Sequence, residues 1–173
     1  DNRMFGNIFH KSAQLIYDEI MSHNNGRIEK ASIQKYLNTK GLLESIVDRA
    51  FNEELFKVKN SMRSPYYNGL HLINRKVLIE YLRQLLHSDQ RTAPFEMLAL
   101  EDAVYTQIAF ETEDNNVRKI RIGGIIDRLD RVTDARTGVS TIRVVDYKTG
   151  IQATRKIKEI EEQLKSIDAD EDF

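Results

Sequence analysis

The segment Gly123-Gly124-Ile125-Ile126-Asp127-Arg128-Leu129-Asp130 places an apolar, β-branched run directly before an acid. After a turn, the segment Val144-Val145-Asp146-Tyr147-Lys148-Thr149-Gly150 repeats that arrangement. Both runs predict strands that each deliver a carboxylate. Because side chains alternate along a strand, Lys148 is expected on the same face as Asp146. If the two strands pair, two acids and a lysine become neighbours.

Strands also fill the region upstream of this segment. After Pro94 the apolar residues alternate, as expected for a strand. The predicted elements are a strand over 103–110, a turn over 113–116, a return strand over 117–123, a turn over 133–138 and a strand over 140–148. We expect Gly123-Gly124 to mark a bend or bulge. Consecutive turns of this kind predict an antiparallel meander.

The first half of the chain has the periodicity of helices. Apolar residues recur at steps of three and four, which is typical of amphipathic helices. Helices are predicted over 5–22, 29–38 and 43–58, with a loop over 60–68, another helix from Leu78 to His87, and a last one over 157–167. The pattern predicts one domain over 1–173, mainly helical over 1–92 and strand-bearing with a final helix over 93–173.

Composition narrows the class of protein. With 173 residues, 40% apolar and 31% charged, the chain has the composition of a soluble globular domain. Its net charge of −1 neither favours nor excludes a nucleic-acid partner, since binding needs a basic patch rather than a basic total. There is no cysteine, which excludes disulfides, a cysteine-ligated zinc site and an iron–sulfur cluster.

The ends and the hydropathy of the chain bear on its location. No run reaches the roughly 20 apolar residues that a membrane helix needs, and the N-terminus lacks the pattern of a signal peptide. We therefore expect a cytoplasmic protein with no membrane partner. The chain begins with Asp1 and ends with Phe173 after an acidic run, which suggests a fragment of a longer polypeptide.

Acids at strand ends suit a hard divalent cation, because Mg²⁺ and Mn²⁺ prefer oxygen ligands. Such a cation supplies a nucleophilic water, and a neighbouring lysine stabilises charge that develops on a phosphoryl oxygen. The simpler interpretation is that Asp146 and Lys148 form an ordinary ion pair, which is common at surfaces. The apolar run before Asp146 favours the site, since a charged group on a buried strand needs a partner.

Three separated motifs resemble those of one family. The segment Gly-Ile-Ile-Asp-Arg-Leu-Asp, then Val-Val-Asp-Tyr-Lys-Thr-Gly, and Gly6-x-x-x-His10 on the first helix are similar to the PD-(D/E)XK nucleases of the RecB/AddB type. The motifs occur in the family's order. The resemblance implies a restriction-endonuclease-like α/β (α+β) core with a mixed central sheet, preceded by a helical half.

The resemblance also implies roles for individual residues. Asp127 and Asp146 would bind the catalytic Mg²⁺ or Mn²⁺, with the Tyr147 carbonyl as a further ligand. Lys148 would be the motif's lysine, and His10 would lie beside the metal. The family's upstream glutamate is matched best by Glu101, with Glu96 as the second choice.

The sequence departs from the family pattern at a helix and at a metal cluster. The family continues into a helix bearing Gln-x-x-x-Tyr, but here Gln163 is followed four residues later by Ile167 and no tyrosine follows Tyr147. The isolated chain could therefore lack activity. Some relatives also carry a four-cysteine iron–sulfur cluster, which a chain without cysteine cannot form.

By resemblance, the expected function is Mg²⁺-dependent hydrolysis of DNA by an exonuclease-type domain of a helicase-nuclease repair protein. Its partners would be DNA and a helicase subunit or domain. The alternative is a non-catalytic DNA-binding or scaffolding module that keeps the nuclease fold. The intact set Asp127, Asp146 and Lys148 favours the enzyme, whereas the missing tyrosine helix favours the alternative.

Overall fold

The computed structural model describes residues 2–59, 61, 63–111 and 116–150. The elements are α1 (Asn2–Asn24), β1 (Arg27–Ile28), α2 (Lys30–Asn38), α3 (Leu42–Glu54), α4 (Gly69–Thr92), β2 (Phe95–Glu111), β3 (Val117–Thr133) and β4 (Ser140–Val145). The helix predicted over 157–167 lies outside the described residues, as does most of the turn predicted over 113–116. None of the described helices has the length and apolar character to cross a bilayer.

All four helices predicted in the described part are present, and the bounds of α4 and α3 differ most from the predicted ones. Helix α4 begins at Gly69, nine residues before the predicted start, because the Asn68 side chain accepts a hydrogen bond from the His71 N–H at 2.9 Å and caps it. Its first turns are exposed, so they show no buried apolar stripe. Helix α3 ends at Glu54 rather than 58, and Lys57 beyond it has a positive φ of 56°.

The strands form one antiparallel sheet with the order β1-β2-β3-β4. The α+β class predicted from the sequence is confirmed, with helices first and the sheet after. Every strand pair in the described part is antiparallel, so the parallel strand that a mixed sheet requires is not among these four. The sequence did not predict β1, a two-residue strand that pairs with Phe95 and Glu96.

The hydrophobic core lies between the helices and the first residues of β2. Helix α1 runs through its centre and buries Ala13, Ile16 and Tyr17 completely. Its partners include Val47 and Phe51 of α3 and three leucines of α4, together with residues at the start of β2. Packing against several elements fixes α1, and with it any functional side chain on its surface.

Strands β2 and β3 form a long hairpin whose far part is exposed. The predicted bend at Gly123-Gly124 is wrong, because Gly123 pairs with Tyr105 and Gly124 with Val104 without a break in register. The irregularity lies instead between Met97 and Ala99. Gly123 is needed for close approach, since a Cβ there would lie 2.1 Å from the Val104 carbonyl oxygen.

The last strand ends earlier than predicted. Strand β4 stops at Val145, and Asp146 to Gly150 leave the sheet. The chain turns here because the Tyr147 N–H donates to the Asp127 carboxylate at 2.6 Å rather than to a strand neighbour. Asp146 and Lys148 therefore lie in a connecting segment, not on a shared strand face.

Candidate metal centre

Three side chains from three elements converge at one point: His10 of α1, Glu101 of β2 and Asp127 of β3. One ligand atom of each lies within 4.8 Å of the other two. His10 Nδ1 is 2.9 Å from Glu101 Oε1 and 3.6 Å from Asp127 Oδ1. All three side chains are partly buried, so they face a site that is shielded from bulk water without being closed.

Helix α1 presents His10 on a crowded face. The imidazole packs edge to face against the Tyr147 ring, with the ring centroids 5.7 Å apart. One turn earlier, a Cβ on Gly6 would meet Thr149 Oγ1 at 3.6 Å, so the segment after β4 crosses the helix at this point. The spacing Gly6-x-x-x-His10 thus places a small residue under the crossing and a histidine at the site.

The backbone of Glu101 adopts an unusual conformation. Its φ is +48°, in the left-handed region that non-glycine residues rarely occupy. The ladder pairs Leu100 with Arg128 and Asp102 with Ile126, which places Glu101 opposite Asp127. A strained backbone at a residue that faces two other titratable groups is typical of functional sites.

The backbone of Tyr147 holds two members of the group, one through its N–H and one through its carbonyl oxygen. Its N–H donates to Asp127 Oδ2 at 2.6 Å, and its carbonyl oxygen accepts from His10 Nε2 at 3.2 Å. The ring is buried, and burial raises the pKa of the Tyr147 hydroxyl to about 12. The peptide is therefore anchored by its side chain.

The environment of His10 favours its charged form. Nε2 faces a carbonyl oxygen and Nδ1 faces carboxylates, so both ring nitrogens have acceptors. The hydrogen bond to Glu101 raises the pKa of His10 most; burial opposes this, and the charge of Asp127 adds to the increase. A cation bound by the same carboxylates would have to displace the imidazolium proton.

Asp146 and Lys148 lie beside this group, not within it. Lys148 Nζ is 2.8 Å from the Asp146 carboxylate, and the two side chains are 52% and 56% exposed. Their hydrogen bond raises the pKa of Lys148. The ordinary ion pair considered as the simpler interpretation thus forms in the structure. The role of Asp146 as a metal ligand therefore stays a prediction.

Of the two glutamates considered from the sequence, the structure brings only Glu101 to the site. Glu96 pairs with Arg131 at 2.9 Å on the exposed part of the sheet. Glu96 pairs in the ladder with Arg131, four positions along β3 from Asp127, whereas Glu101 lies opposite Asp127. Both glutamates precede the motif that contains Asp127, so their position in the sequence could not distinguish them.

An open cleft of about 460 Å³ lies over the group. His10, Glu101, Tyr147 and Lys148 line it together with polar side chains of α1, namely Asn7, Lys11 and Gln14. The cleft carries both carboxylates and ammonium groups. That combination suits a phosphate-bearing ligand and a divalent cation.

Comparison with curated proteins and with solved structures gave no match. A family model described as the PD-(D/E)XK nuclease superfamily matches residues 1–166. That range includes His10, Glu101, Asp127, Asp146 and Lys148. The chain belongs to the PD-(D/E)XK nuclease superfamily.

Proposed function

We propose that this chain is a divalent-metal-dependent deoxyribonuclease whose metal centre is formed by His10, Glu101 and Asp127. The convergence of these three side chains within 4.8 Å, in a chain of this superfamily, carries the proposal. The donors fit the cation, because Mg²⁺ and Mn²⁺ prefer oxygen ligands. Glu101 and Asp127 offer carboxylates, and Tyr147 offers its backbone carbonyl. The imidazole adds one nitrogen ligand.

Bound there, a divalent cation supplies a nucleophilic water and stabilises the charge that develops on the phosphoryl group. The protein's own residues orient the site. The Tyr147 N–H fixes one oxygen of Asp127 and leaves the other, 3.6 Å from His10, to face the centre. Such fixed ligands limit the reorganisation needed during the reaction.

Lys148 is the basic residue that this proposal assigns to the substrate phosphate. It lines the same cleft as His10 and Glu101, and its pairing with Asp146 keeps it protonated. Its ammonium group would donate to a phosphoryl oxygen and stabilise negative charge in the transition state. Because the Asp146–Lys148 pair is exposed, breaking it costs little, which leaves both groups available to the cation and the substrate.

The finer assignment follows the motif resemblance. We propose an exonuclease-type domain within a helicase-nuclease of DNA repair, acting in the cytoplasm with DNA and a helicase subunit or domain as partners. Support comes from the order of the three motifs, Gly6-x-x-x-His10, the segment through Asp127, and Asp146-Tyr147-Lys148.

A matched pair of glutamate substitutions on β2 tests the site. Glu101→Gln should reduce Mn²⁺-dependent cleavage of end-labelled duplex or single-stranded DNA at least about 100-fold, whereas Glu96→Gln should leave it unchanged. Asp146→Ala and Lys148→Ala should abolish cleavage by the complete protein. Full cleavage by the Glu101, Asp146 or Lys148 variants would refute the assignment.

The Asp146–Lys148 ion pair favours one alternative, a module that binds DNA without cutting it. In that case the two residues satisfy each other and Asp146 contributes nothing to a metal site. DNA binding by the complete protein without cleavage at any Mg²⁺ or Mn²⁺ concentration would select this alternative.

A further inference from the structure

Beneath the metal centre lies a buried cluster of charges that the proposed reaction does not use. Arg128 is 2% exposed and forms a bidentate pair with Asp89 of α4, with Nη1 to Oδ2 at 2.7 Å and Nη2 to Oδ1 at 2.8 Å. Its Nε lies 2.9 Å from Asp130 Oδ2. That contact is an ion pair without hydrogen-bond geometry, since Nε has no hydrogen-bond partner within the described residues.

The cluster is electrically balanced. Asp130 is completely buried and is held by Arg143 through Nε and Nη2 at 2.7 and 2.8 Å. Two arginines therefore face two aspartates. The Tyr17 hydroxyl completes the group by donating to Asp89. Buried charges of this kind are costly unless fully paired, so their positions are narrowly fixed.

One member of the cluster also reaches the metal centre. Arg128 Nη1 lies 3.3 Å from the Tyr147 hydroxyl, and the backbone N–H and carbonyl of Tyr147 bond Asp127 and His10. Arg128 also follows Asp127 directly on β3. Arg128 is thus connected to the site in two ways, through its backbone bond to Asp127 and through the side chain of Tyr147.

Resting on the proposed function, we propose that Tyr147 is a positioning residue. Its hydroxyl, held by Arg128, sets the orientation of the residue-147 backbone, whose N–H and carbonyl hold Asp127 and His10. The buried cluster then acts as a fixed anchor that joins α1 and α4 to strands β3 and β4. Outer groups that orient metal ligands in this way commonly change metal affinity or activity 10–100-fold when removed.

Two conservative substitutions separate positioning from simple stabilisation. Tyr147→Phe removes the hydroxyl that contacts Arg128 and leaves the ring and the peptide in place. Tyr67→Phe is the matched control, because its hydroxyl also donates to an aspartate of an aspartate–arginine pair, Asp48–Arg75, which belongs neither to the buried cluster nor to the proposed metal centre. Both variants should lower Tm by a similar amount. The readouts are Mn²⁺ affinity by calorimetry and hydrogen exchange of the residue-147 amide.

We expect Tyr147→Phe to weaken Mn²⁺ binding about tenfold and to speed exchange of the residue-147 amide, which donates to Asp127. Tyr67→Phe should leave both quantities unchanged. Equal effects of the two variants, or no effect of Tyr147→Phe, would overturn the positioning role. If the unsubstituted chain binds no Mn²⁺, the proposed function fails, and the exchange comparison alone decides whether the Tyr147 side chain positions the backbone N–H that bonds Asp127.

Discussion

His10 Nδ1 lies 2.9 Å from Glu101 Oε1, although the two residues are 91 positions apart in the chain. The contact joins the first helix to the sheet at the point where Asp127 also arrives. It gives the imidazole an anionic partner and the carboxylate a cationic one. A metal ion that uses both ligands must replace this contact.

Mn²⁺ binding should therefore depend on pH. The pKa of His10 is raised above its usual value by the hydrogen bond to Glu101, so below that raised pKa the imidazolium proton competes with the metal. Affinity should increase with pH, by up to about tenfold per unit, and level off above the His10 pKa. Calorimetry at several pH values measures this dependence.

His10→Gln is the control for that prediction, since a carboxamide does not titrate in this pH range. Its Mn²⁺ affinity should be lower and nearly independent of pH over the range where His10 titrates. An identical pH dependence in the variant would show that another group is responsible.

Asp48 should stabilise the fold except in acid. Burial raises the pKa of this carboxyl, but hydrogen bonds from Arg75, Tyr67 and Ser64 outweigh burial and place the pKa below its usual value. The stabilisation is thus present above the unfolded-state pKa and is lost as pH falls through the lower folded-state pKa. Asp48→Asn should cost about 2–3 kcal/mol near neutral pH.

Urea unfolding near neutral pH and in acid measures this effect, and the difference between Asp48→Asn and the unsubstituted chain should shrink in acid. Glu80→Gln removes an exposed pair with Arg83 on α4 and should change stability by less than about 0.5 kcal/mol. A difference for Asp48→Asn that persists undiminished in acid would contradict the linkage.

Breaking the buried pair at Arg128 should be severe. Arg128→Met leaves Asp89 buried without its bidentate partner, which should cost about 3–5 kcal/mol. Combining Arg128→Met with Asp89→Leu removes both charges and should restore part of that loss. A double variant less stable than Arg128→Met alone, measured by thermal or urea unfolding, would show that the charges themselves are not what destabilises the single variant.

Gly123 and Gly124 should respond differently to a methyl group. In Gly123→Ala the added Cβ meets the Val104 carbonyl oxygen and Tyr105 Cα, at 2.1 and 2.7 Å before any shift, whereas Gly124→Ala meets nothing within 4 Å. Because the hairpin is exposed, the effect should be local. Hydrogen exchange of the β2 and β3 amides around Tyr105 should speed up in Gly123→Ala alone, and equal exchange in the two variants would contradict the close approach.

The helical half was predictable because its pattern is local. Leu43, Ile46, Val47 and Phe51 of α3 keep the three-and-four spacing, and the structure buries each of them. The start of α4 was not predictable in this way, because its first apolar residues, such as Leu70, are exposed. Strand β1 is too short for any periodicity.

The site was predictable only for the residues that belong to a recognisable sequence motif. The motifs identified His10 and Asp127. The position of Glu101 opposite Asp127 depends on a register shift in β2, which no local pattern reveals. Arg128 has the appearance of a surface base in the sequence. Its burial depends on Asp89, which lies 39 positions away, and such pairings are decided by tertiary packing rather than by the segment itself.

The most direct measurement is the anomalous diffraction of crystals soaked in Mn²⁺. We predict a peak within coordination distance of His10, Glu101 and Asp127, which disappears in crystals of Asp127→Asn and persists in crystals of Glu96→Gln. No peak at these residues, or a peak that survives Asp127→Asn unchanged, would contradict the proposal that this group is the metal centre of a nuclease.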